Sequence, residues 1–111
     1  MSNNAWRVYS VEQLTRGLEK TEPAFLEFLR TPSLTGAVYR LPAGSRDMQA
    51  PHLEDEIYWV VSGHAWMQIG EEKREVRAGD ILFVRATQEH SFFDIDDDLT
   101  LVAVFGPLRG T

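Results

Sequence analysis

His52 and Glu56 stand four residues apart in the stretch PHLEDEIYWVVSG, residues 51–63. An imidazole and a carboxylate suit borderline and harder divalent metals, and both groups can move protons. On a straight strand four residues span about 13 Å, too far for ligands of one ion. The pair can share a cation only if Leu53-Glu54-Asp55 reverses the chain, with His52 ending one element and Glu56 starting the next. From Glu56 onward the side chains alternate. Glu56, Tyr58 and Val60 share one face, and Ile57, Trp59 and Val61 share the other. Glu56 heads the inward set, where an unpaired carboxylate is costly. A cation beside it removes that cost.

A metal needs a third ligand. The chain has three histidines, His52, His64 and His90. His90 opens a late strand, which lies beside the early pair if the sheet closes on itself. His64 follows Gly63 at the far end of the strand that Glu56 begins. It is a poor ligand and reads as an exposed or rim histidine. Tyr58 follows Glu56 by two on the same face, so its hydroxyl is a candidate general base near the ion.

The elements that must position these groups are mostly strands. Residues 10–20, SVEQLTRGLEK, form the one good helix candidate, with Ser10 as cap and Gln13 three further on. Val11, Leu14 and Leu18 fall on one helical face, and Pro23 argues against continuation. From residue 24 the texture is about eight short strands with turn signals at Pro32, Pro42, Gly44, Gly63, Gly70, Gly79 and Gly106. No helical stretch separates them, so a barrel or sandwich is expected and a parallel α/β sheet is not. The acidic run Asp94-Ile95-Asp96-Asp97-Asp98 reads as a solvated turn.

Composition narrows the chemistry. The 111 residues suit one domain, read as an N-terminal segment, 1–23, and a barrel, 24–111. The net charge of −6 and the lack of a basic stripe argue against nucleic acid and anionic membranes. With no cysteine, disulfides, thiolate zinc sites, iron–sulfur clusters and cysteine nucleophiles are excluded. The sequence MSNNAWRVYS lacks the pattern of a signal peptide, and no apolar run is long enough to span a bilayer, so a cytoplasmic protein is expected.

The spacing resembles the cupins, small β-barrels of the double-stranded jelly-roll type. Their first motif, G-x5-H-x-H-x3-E-x6-G, is met by Gly44, His52, Glu56 and Gly63, with Ala50 at the first histidine. Their second, G-x5-P-x-G-x2-H-x3-N, is met by Gly79 and His90. Arg85, Thr87 and Asp94 stand for proline, glycine and asparagine. The resemblance covers about residues 24–106. It implies an all-β jelly-roll barrel and a metal held by His52, Glu56 and His90. Gln49 is a minor candidate for the place that Ala50 leaves empty. Two histidines and one carboxylate suit a divalent transition metal, Fe, Mn, Ni or Zn.

Two functions follow as expectations. One is a metal-dependent enzyme acting on a small organic molecule, of isomerase, dioxygenase or lyase type. The other is a non-catalytic module or sensor that binds a small ligand, which the missing first histidine favours. A structural barrel with a retired site is a third possibility. Arg40, Arg46 and Arg85 are candidates for binding a substrate carboxylate or phosphate. The apolar face of Ile57, Trp59 and Val61 predicts a homodimer.

Overall fold

A computed structural model describes residues 5–21, 24–47 and 53–106. The N-terminal helix α1, Val11–Gly17, starts where expected, with the Gln13 amide donating to Ser10 Oγ at 3.3 Å. It continues as a 3-10 turn, Leu18–Lys20, which buries Leu18. Among the described residues six strands follow: β1 Phe25–Arg30, β2 Thr35–Leu41, β3 Glu56–Ile69, β4 Glu72–Arg77, β5 Ile81–Val84 and β6 His90–Phe105. All pair antiparallel, in the order β1-β2-β6-β3-β4, with β5 also on β3.

Two long strands, β3 and β6, make the barrel. They run beside each other over nearly their whole lengths. The first half of β3 takes β5 on its other side, and the second half takes β4. Three shifts of register between Val60 and Trp66 bend the pair. Such bulges raise local twist and let a sheet curl. The concave side is filled by Tyr39, Tyr58, Val60, Met67, Phe92 and Leu101.

Six strands replace the expected eight because two apparent breaks are bends. Gly63 does not end a strand. It holds φ +101° inside β3, where a Cβ would lie 2.2 Å from the Asp98 carbonyl oxygen. Only glycine permits that approach. Opposite it, the acidic run is part of β6 rather than a turn. Ile95 is buried there, while Asp94, Asp96, Asp97 and Asp98 stay in water.

Candidate metal and ligand site

The fold brings Glu56 and His90 together from two strands remote in the sequence. Glu56 opens β3 and His90 opens β6. Both are buried, at 3% and 4% exposure. His90 Nε2 lies 3.6 Å from Glu56 Oε1. Tyr58 supplies a third polar group, its hydroxyl 3.0 Å from the same His90 Nε2.

The ring of His90 is oriented from behind. Its Nδ1 lies 2.9 Å from the Gln88 carbonyl oxygen. A carbonyl only accepts, so Nδ1 carries the proton. In the neutral ring Nε2 is then an acceptor, within hydrogen-bond distance of the Tyr58 hydroxyl. This arrangement is the one that metal-binding imidazoles use, with the outer nitrogen donating to a fixed acceptor. Burial, then the neighbouring Tyr39 and Glu56, hold the Tyr58 phenol well above the usual tyrosine range. The neutral phenol is therefore the form present, and a base role requires a cation near enough to offset that shift.

The loop that carries Gln88 is pinned by residues that leave no motif in the sequence. Asp55 Oδ1 accepts the Ala86 amide at 2.8 Å, and the Asp55 carbonyl accepts from Gly106. The start of β3 is thus tied to the approach to His90. Asp47, buried at 4% exposure, exchanges two contacts with the Phe92 backbone. A single carboxylate bonded to main chain has no characteristic spacing, so sequence reading passes over both acids.

His52 and Gln49 lie outside the described residues, as does Ala50. Among the described residues, no group of three His, Cys, Asp or Glu comes together as a metal site. The pair that does meet fits the expected donor set. Two ligands each about 2.1 Å from one ion lie about 3 to 3.5 Å apart, close to the observed separation. His64 is remote from them. It is half-buried rather than free at the rim, with Nδ1 2.7 Å from Asp96 and Nε2 2.5 Å from Glu75.

The three candidate arginines divide. Arg40 does not enter the barrel. It alternates with the buried Tyr39 onto the outer face, where its Nε donates to Thr100 Oγ1 at 2.9 Å. Arg85 is exposed on the loop after β5. Arg46 lines an outer groove with Trp66, Gln68 and Phe93.

Comparison with known proteins agrees with this fold. A family model described as cupin domain matches residues 37–105. An uncharacterized protein of Streptomyces coelicolor is 36% identical over 101 residues, covering 91% of this chain and 96% of its own length. Solved structures with the same fold include the DMSP lyase DddQ from Ruegeria pomeroyi, with a TM-score of 0.65 and 24% identity. The match covers 73% of this chain but only 42% of the lyase. KdgF from Halomonas sp. has a TM-score of 0.68 and 23% identity, covering 78% of this chain and 79% of its own. The cupin domain of Schizosaccharomyces pombe Cnp3 has a TM-score of 0.68 at 13% identity, with 74% and 62% covered. No helix among the described residues is long and apolar enough to cross a membrane. The motif spacing, the jelly-roll topology and the family match together make this chain a member of the cupin superfamily.

Proposed function

We propose that this cupin binds a divalent transition metal, Fe, Mn, Ni or Zn, through His52, Glu56 and His90, and acts on a small organic molecule in the cytoplasm. The observation that carries the reading is the buried approach of Glu56 to an acceptor nitrogen of His90, whose tautomer the Gln88 carbonyl sets. An apolar core gains nothing from a carboxylate and an imidazole unless they serve a charge or a substrate. His52, four residues before Glu56, is the third ligand in this reading, and Gln49 is a lesser one. The bound metal supplies Lewis acidity. Glu56 and His90 hold the site in place. Tyr58 passes its proton to or from the bound molecule, and the surrounding aromatic and aliphatic wall excludes water.

A lyase among the fold neighbours supports an enzyme, but isomerase and dioxygenase chemistry suit the same residues. The second reading is a ligand-binding cupin without turnover, which the alanine at position 50 favours. Elemental analysis of protein purified without added ions tests the metal. Close to one equivalent is expected in the wild type, with most of it lost in Glu56→Gln and in His52→Ala. A metal-free wild type, or variants that keep their metal, would remove the first reading. Turnover of small acids, diketones or phosphosugars by the metal-loaded protein then separates enzyme from binder.

A further inference from the structure

A cleft lies in the gap between β4 and β5. The two strands pair with different halves of β3, leaving a cleft of about 320 Å³ between them. Met67, Ile69 and Leu82 form its apolar walls, Ile81 and Phe83 stand at its rim from the outer face, and Glu72 and Arg74 are its charged groups. Val76 is buried in the core, so alternation along β4 places Glu72 and Arg74 on the barrel side. Lys73, Glu75 and Arg77 take the outer side. Register confirms the placement, with Arg74 opposite the buried Met67 and Glu72 opposite Ile69.

Four of the other arginines among the described residues already have acceptors. Arg16 pairs with Glu12, Arg30 with Glu27, Arg77 with Glu75, and Arg40 binds Thr100. None of the ion pairs among the described residues uses Arg74. A guanidinium fork at an apolar wall matches a carboxylate in two parallel hydrogen bonds. We propose that the cleft binds a small monocarboxylate with an apolar body, its carboxylate on Arg74 and its body against Met67, Ile69 and Leu82. Glu72, two residues from Arg74 on the same side, disfavours a second negative charge. The cleft also adjoins the buried pair. Ile69 is the cross-strand partner of His90, and Leu82 that of Tyr58. A molecule anchored on Arg74 lies against the strand partners of His90 and Tyr58. The anchoring itself does not depend on a metal being there.

The test titrates the full chain with 3-phenylpropionate and with its uncharged analogue 3-phenylpropionamide. It follows the methyl resonances of Met67, Ile69 and Leu82, in protein as purified and again with excess EDTA. The carboxylate is expected to shift these methyls and to bind about tenfold more tightly than the amide. The preference should persist in EDTA, which excludes a carboxylate simply ligating a metal. Arg74→Met should abolish the preference while the amide still shifts the same methyls, a check that the cleft is intact. Glu72→Gln should tighten carboxylate binding. Equal affinities, absence of carboxylate binding at the cleft, loss of the preference in EDTA, or a preference that survives Arg74→Met would overturn the proposal. If the metal reading fails and this one holds, a metal-free wild type will still prefer the carboxylate.

Discussion

Thr87 holds φ +65° and Asp94 φ +47°, a region that side chains resist. For a β-branched residue such a conformation costs about 1–2 kcal/mol. The cupin pattern puts glycine and asparagine at these two places, the residues that tolerate it best. Thr87 sits three residues before His90, so the strained turn is the one that delivers His90. Thr87→Gly removes the strain, offset partly by the extra freedom of glycine in the unfolded chain. Scanning calorimetry should show the melting temperature rising by a few degrees. A fall would mean that the Thr87 hydroxyl, bonded to the Ala86 carbonyl at 2.6 Å, contributes more than the strain removes. At this scale the motif residues are readable from spacing alone: Glu56 and His90 meet, and Gly63 is where backbone needs it. Gln88 and Asp55 are not readable, because one acts through its carbonyl and the other through a single bond to an amide.

Three strands are tied at the far end of the barrel by one side chain. His64 on β3 faces Glu75 on β4 and Asp96 on β6, and Arg77 on β4 holds the other Glu75 oxygen at 2.5 Å. Both acceptors are carboxylates, so the ring makes both contacts as donor only when it is imidazolium. Glu75 and then Asp96 raise the His64 pKa above its ordinary value. A raised folded value means that the stabilisation is complete below the ordinary histidine pKa, about 6.5, and is lost as pH rises through the folded one. Thermal melts from about pH 6 to about pH 9 should therefore fall more steeply for the wild type than for His64→Gln. Parallel curves would show that the contacts contribute nothing. Sequence reading sets this histidine apart from Glu56 and His90 by distance along the strand but offers no partners for it. Its partners come from β4 and β6, and the pairing of those strands with β3 depends on bends at Gly63 that look like breaks in a one-dimensional pattern. The same bends account for the two strands too many.

On the whole molecule, the alternation that sends Glu56 and Tyr58 inward sends Ile57 and Trp59 outward. The outer face of β3 and β5 carries Ile57, Trp59, Ile81 and Phe83 at 49%, 41%, 71% and 62% exposure. They are adjacent, since Ile57 pairs with Phe83 and Trp59 with Ile81. Val102 and Val104 of β6 extend the face on the other side of β3. Scattered apolar residues are ordinary on a surface, but a contiguous patch across three strands calls for cover. A second copy is the cover we propose. The patch reaches β5, which pairs with β3 alone among the described residues, and a two-fold contact would cover patch and edge at once. The chain charge of −6 opposes the association, so the dimer should tighten with salt. Sedimentation at micromolar concentration should give twice the 12.7 kDa chain mass. Phe83→Lys, which places a charge at the centre of the patch, should give the single-chain mass with an unchanged circular-dichroism spectrum. A wild type that sediments as one chain would leave the face without a partner of its own kind. A dimer indifferent to Phe83→Lys would place the interface elsewhere on the barrel.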